Sequence, residues 1–211
     1  MGRILARSGV VRVLALACLT LAGLAGGGAV LPTQAQAGEI KPLAPQPPAE
    51  AIKPGLTVRY YGPKLRYLDE FVRFVRNRPG TPGDPIPALD FADKGHGAYV
   101  MGTKQAEMIG AVIDGMMKFD APGTYEFAMV ANDLVQFQLC DIPLIEKDWD
   151  GLPTQIGEAV TVTVPEPGWY KLHVKYFQRR GTAALELLWK KPGQTGDYAV
   201  VPAEVFAHLA N

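Results

Sequence analysis

Three histidines, His96, His173 and His208, one thiol beyond the N-terminal segment, Cys140, and 21 carboxylates are the groups through which this 211-residue chain could do chemistry. No two of the histidines stand at i, i+4 or at H-x3–5-H spacing, and no C-x-x-C occurs, so the paired ligands of a zinc site are missing. Serine catalysis is excluded by count, because the only serine is Ser8, inside a segment read below as an export signal. Cys140 follows the alternating residues Val135, Phe137 and Leu139 on the opposite parity, with no histidine close in sequence. That is the setting of a small structural residue. Gly95, Gly97 and Gly102 lie in a loop without the strand-to-helix context of a phosphate cradle, and read as turn residues. The run Asp148-Trp149-Asp150-Gly151 is more suggestive, since an indole between two acids can face a sugar ring while carboxylates accept its hydroxyls. The same D-x-D-G string resembles part of a Ca²⁺ loop without its remaining ligands, and a plain acidic surface loop is the commoner origin of such a string.

The elements that would position these groups are mostly strands. Ile109, Ala111, Ile113, Met117 and Phe119 alternate with more polar neighbours, and Pro122-Gly123 turns the chain into Tyr125, Phe127 and Met129. The period of two returns at Val135, Phe137 and Leu139, at Val160, Val162 and Val164, at Tyr170, Leu172, Val174 and Tyr176, and at Leu185, Leu187 and Trp189. Short strands with one apolar face and frequent turn signals predict an all-β, antiparallel β-sandwich or barrel. Residues 64–78 depart from this period. Leu65, Leu68, Phe71, Val72 and Val75 stand at helical spacing, predicting a short amphipathic helix over an open end of the sandwich. Residues 79–97, with four prolines, predict a long surface loop, and the C-terminal segment a second short helix.

The N-terminus reads as a secretory signal. Arg3, Arg7 and Arg12 precede the uncharged apolar run 13–31, which ends in Ala35-Gln36-Ala37, so cleavage is expected after Ala37. The run is also about long enough to be a membrane anchor, but its glycines and the A-x-A ending point to cleavage, leaving no membrane span. Overall charge balances at 21 basic and 21 acidic residues, which gives no footprint for nucleic acid. Without residues 1–37 the chain keeps 18 basic residues against 21 acids and becomes mildly acidic, with Cys140 its only cysteine and no internal disulfide possible. Residues 38–54 carry five prolines and predict a semi-extended tether, so the folded domain is expected over 55–211.

An ordered set of short motifs then resembles a known family, the PA14 domain, a β-sandwich module. Gly55-Leu56-Thr57-Val58-Arg59-Tyr60-Tyr61 resembles its G-L-x-x-x-Y-Y opening, and Leu89-Asp90-Phe91 its I-D-F step. Gly115 with Gly123-Thr124-Tyr125-Glu126-Phe127 is similar to the G-x-Y-x-F segment. Gly168-Trp169-Tyr170 and Leu187-Leu188-Trp189 followed by Lys191-Pro192-Gly193 resemble the late strands, the whole likeness covering residues 55–206. The resemblance implies a non-catalytic module, most often for carbohydrate. In lectin-like adhesin members, two adjacent aspartates after the G-x-Y-x-F strand hold Ca²⁺, which holds the sugar. Here that position reads Asn132-Asp133, so the resemblance implies Asn132 and Asp133 as metal ligands, with one carboxylate replaced by an amide. The family's Asp-Gly turn is altered as well: Asp141 is followed by Ile142-Pro143, which predicts a longer or reshaped hairpin.

The expected ligand face therefore comprises Asn132, Asp133, Asp141, Trp149 and Asp150, binding a glycan, with Ca²⁺ as the expected cofactor. The expected location is periplasmic or extracellular. The alternative reading is a structural or protein-interaction subunit of the cell envelope with a degenerate sugar site.

Overall fold

A computed structural model describes residues 35–36, 40–92, 94–149 and 154–210, all within the unit Thr33–Asn211. The export signal, apart from Ala35 and Gln36, and the candidate site residue Asp150 lie outside the described residues. The strands are β1 (Ala35–Gln36), β2 (Ile52–Pro54), β3 (Thr57–Tyr61), β4 (Thr81–Pro82), β5 (Asp90–Phe91), β6 (Ile109–Phe119) and β7 (Gly123–Asn132). They continue as β8 (Leu134–Leu139), β9 (Ile142–Lys147), β10 (Val160–Val164), β11 (Gly168–Gln178), β12 (Ala184–Lys190), β13 (Ala199–Val200) and β14 (Phe206–Leu209). One α-helix, α1 (Leu68–Val75), stands between β3 and β4.

Two sheets face each other. One has the order β1-β10-β7-β12-β13, with β5 also on β12; the other has the order β2-β14-β6-β11-β8-β9, with β3 and β4 joined through β6. Every pair is antiparallel except β1 on β10. The alternating residues read from the sequence all point inward: Ile113, Met117 and Phe119 of β6 meet Tyr125, Phe127, Tyr170, Val174 and Leu187 in one buried core. The Phe119 ring sits edge-on 4.8 Å from Tyr125 and 5.1 Å from Tyr170. Burying such side chains at roughly 25 cal/mol per Å² is what holds a disulfide-free sandwich together. At Gly115 an added Cβ would lie 2.5 Å from Ala207 O, so glycine is what lets β14 approach β6.

Four expectations are corrected. Residues 40–54 are docked, because Ile40 is fully buried, Leu43 N–H donates to Trp169 O at 2.8 Å and Ile52–Pro54 pairs with β14. The apolar residues between the prolines supply an anchor, and Pro54 sits on an edge strand, where a missing N–H costs no ladder bond. The short amphipathic helix is present over Leu68–Val75, but it covers the outer face of the second sheet instead of an open end, where Val112, Leu134 and Phe177 present an apolar patch to Leu68, Phe71 and Val75. Gly110 leaves the space that the Phe71 ring fills. The C-terminal helix is a single 3-10 turn at Ala203–Val205, followed by strand β14. Finally, the β8–β9 hairpin is short: Cys140 and Asp141 both take positive φ, 52° and 64°, as a two-residue type I′ turn demands. Pro143 falls on the edge strand β9 beside a register shift at Phe137/Gln138, so its absent donor is accommodated there.

Candidate functional site

One of the crossings between the two sheets is the tight corner from β7 to β8. β7 ends at Asn132, a cis peptide joins Asn132 to Asp133, and β8 begins at Leu134 in the opposite sheet. Asp133 is only 8% exposed, and its Oδ2 accepts the backbone N–H groups of Arg179 at 2.7 Å and Arg180 at 3.0 Å. Burial pushes its carboxyl above the ordinary range, while those two N–H groups and the charges of Arg179 and Lys147 pull the other way. Asn132 Nδ2 donates to the hydroxyls of Thr154 at 2.9 Å and Thr182 at 3.0 Å, and the carbonyl of Asn132 accepts Tyr176 OH at 2.5 Å. The β11–β12 loop is thus tied to the corner by backbone and side chain together. Beneath it, fully buried Gln178 has an Nε2 without a hydrogen-bond partner among the described residues.

The other sequence candidates separate. Register brings Trp149 to this end, since Val135 pairs with Lys147 and Trp149 lies two residues beyond. Its indole is half-buried against the α1 cluster, with the guanidinium carbons of Arg66 and Arg179 each 4.8 Å from its ring centroid. The indole expected on the ligand face is therefore half-buried and packed. Asp148 is a structural clamp: its Oδ1 accepts Leu68 N–H at 3.0 Å, at the start of α1, and Trp149 N–H at 2.8 Å. Asp141 lies at the far end of β8, about 20 Å away at the usual rise per residue, exposed and paired with Lys171 at 2.7 Å. Asp141 is not part of the corner. Sequence reading missed Lys147, Thr154, Arg66 and Arg179 to Thr182, although the adjacent Arg179-Arg180 before Gly181 was a visible signal of a charged loop.

The described residues do not complete a Ca²⁺ shell. The ion takes roughly six to eight oxygens, whereas no three His, Cys, Asp or Glu side chains cluster among the described residues. One Asp133 oxygen already accepts two N–H groups, and the Asn132 Nδ2 is turned to two threonines, which leaves Asp133 Oδ1 and Asn132 Oδ1 as the side-chain oxygens at this corner not engaged in those bonds. A cation is also in place, as Lys147 Nζ donates to Ala131 O at 2.8 Å and its charge acts on Asp133.

A cleft of about 1260 Å³ opens at the same end. Tyr60, Phe91 and Met101 line it with Asp84, Asp90 and Lys104, and Phe91 pairs with Leu185 on β12, the strand beside β7. Tyr60 OH donates to Met101 O at 2.8 Å, and burial, helped by Asp84, pushes that phenol up. Aromatic faces beside carboxylate acceptors suit a polyhydroxylated ligand.

Two facing sheets, antiparallel but for β1 on β10, make a β-sandwich, and superposition identifies its fold as that of PA14 domains. The structure superposes on the PA14 domain of the antifreeze protein MpAFP with TM-score 0.60 and 14% identity, covering 74% of this chain and 92% of that one. For the PA14 sugar-binding domain of an RTX adhesin the values are 0.58 and 15%, over 74% and 98%. For the A domain of epithelial adhesin 9 from Candida glabrata, solved with Galβ1-3GlcNAc, they are 0.57 and 14%, over 82% and 97%. No protein-family model matches the sequence, and no curated protein matches it significantly. Among the described residues no helix is long and apolar enough to cross a membrane.

Proposed function

We propose that this chain is an exported, non-catalytic glycan-binding module whose saccharide docks at the end of the sandwich holding Asn132, Asp133 and the adjoining cleft. The observation that carries the reading is the corner. A buried carboxylate is fixed through Oδ2 by two backbone N–H groups, while its Oδ1 has no hydrogen bond among the described residues and remains an acceptor for a hydroxyl. The Thr154 and Thr182 hydroxyls hold the amide of neighbouring Asn132, and Tyr60 and Phe91 line the cleft. Relatives in fold that bind sugars support this choice of ligand class. In this reading the positive charge at the corner is the Lys147 ammonium beside Ala131 O, and binding is expected without Ca²⁺.

The test is a glycan array followed by calorimetry on the full chain, with and without Ca²⁺. At least one saccharide should bind with equal affinity in both conditions, and Asp133→Asn or Thr182→Val should weaken it while the melting temperature stays within a few degrees. Absence of binding to every saccharide would overturn the proposal. A second reading, an envelope subunit that binds protein, is favoured by the Asn132 amide being locked to Thr154 and Thr182. It predicts a stoichiometric protein partner on affinity purification, and recovery of free monomer alone counts against it.

A further inference from the structure

Three arginines border the corner, and none has a carboxylate within 4.0 Å among the described residues: Arg66 before α1, and Arg179 and Arg180 in the β11–β12 loop. Arg66 and Arg179 are posed over one indole, each 4.8 Å from the Trp149 centroid, so they lie within about 10 Å of each other. Arg66 is also 5.3 Å from the ring centroid of exposed Tyr67. The platform under them is held at several points: Trp149 packs on the buried helix cluster, Asp148 clamps its backbone to α1, and Asp133 clamps the backbone of Arg179 and Arg180. Two nearby acids each commit one oxygen to backbone N–H groups, and the charge of Glu70 also acts on Arg66 without forming an ion pair within 4.0 Å. Glu70 Oε2 accepts the N–H groups of Arg66 and Tyr67, and Asp148 Oδ1 those of Leu68 and Trp149.

Resting on the glycan reading above, we propose that the saccharide is acidic, its carboxylate or sulfate groups held by the guanidinium forks of Arg66 and Arg179. Planar forks match carboxylate and sulfate oxygens two bonds at a time, and an aromatic support that fixes them in advance lowers the entropy lost on binding. The cluster is local in a chain with 21 basic and 21 acidic residues, which sets it apart from the broad basic surface that nucleic acid needs. A sugar acid presents both groups the face accepts, hydroxyls for Asp133 and the threonines and an anion for the arginines.

The experiment compares the full chain against polygalacturonate and heparin, with dextran and β-lactose as neutral probes, by calorimetry at two salt concentrations. Expected are a preference for an acidic probe, affinity that falls as salt rises, and a loss of roughly ten- to hundredfold in Arg66→Ala/Arg179→Ala, the scale of lost charge-assisted hydrogen bonds. Arg66→Lys/Arg179→Lys should recover only part of it, because the charge returns without the fork. Binding to neutral probes alone, or arginine variants that bind the acidic probes unchanged, overturns this inference and leaves the glycan reading standing. Failure of all saccharides overturns both. Equally tight binding to duplex DNA or to phosphatidylglycerol vesicles overturns the choice of an acidic saccharide.

Discussion

Asp148 separates two accounts of the acidic loop, because a ligand-facing carboxylate and a helix clamp respond differently to the same substitutions. Its Oδ1 accepts Leu68 N–H at 3.0 Å and Trp149 N–H at 2.8 Å, so it satisfies a donor that the first turn of α1 would otherwise leave open. Replacing such an acceptor by alanine costs about 1 kcal/mol, and its negative charge at the helix N-terminus adds roughly 0.3–1 kcal/mol. Asp148→Ala should therefore destabilise the chain by about 1–2 kcal/mol, a fall in melting temperature of roughly 2–8 °C for a domain of this size. Asp148→Asn keeps the acceptor and loses only the charge, so its cost should be less than half as large. Urea unfolding of the two variants, with exposed Asp141→Ala as the control whose ion pair contributes under about 1 kcal/mol, measures this directly. The clamp is refuted if Asp148→Ala unfolds at the same urea concentration as the parent chain, or if asparagine and alanine cost the same.

Phe71→Ala removes a fully buried ring that touches Phe177 at 5.4 Å between centroids and should cost about 3–5 kcal/mol by equilibrium unfolding, loosening the Trp149 platform with it. Gly115→Val should abolish folding, read as loss of the cooperative melt, because its Cβ would meet the backbone of β14. Cys140→Asn with Asp141→Gly places the preferred residues in a type I′ turn and should raise stability by up to about 1 kcal/mol, despite the loss of the exposed Lys171 pair. Asp133 has a folded carboxyl raised by burial, so the stability it contributes is full below the unfolded value of 3.8 and is lost as pH rises through the folded value. Asp133→Asn should remove that drop from the pH profile of unfolding, and Lys147→Met should move the Asp133 titration in NMR upward, since a stabilising charge is gone.

The amino-acid sequence by itself determined the strands and their buried faces. From Ile109 to Trp189 the alternation marks inward residues one by one, because a strand puts successive side chains on opposite faces whatever it pairs with. The position of the corner was also legible, since Asn132-Asp133 follows directly on the G-x-Y-x-F strand. Tertiary structure decided what those residues do. Only pairing register brings Lys147 and Trp149 beside Asp133 while sending Asp141 to the other end of β8. Packing alone decides that Trp149 is a support for two arginines, and that the proline-rich segment is held down by Ile40 and β14. The apolar outer patch at Val112, Leu134 and Phe177 draws α1 onto the sheet face, and it forms only when residues from three strands meet. Local alternation is a property of one strand, whereas a binding face is assembled from the ends of several, and their meeting is set by register and burial.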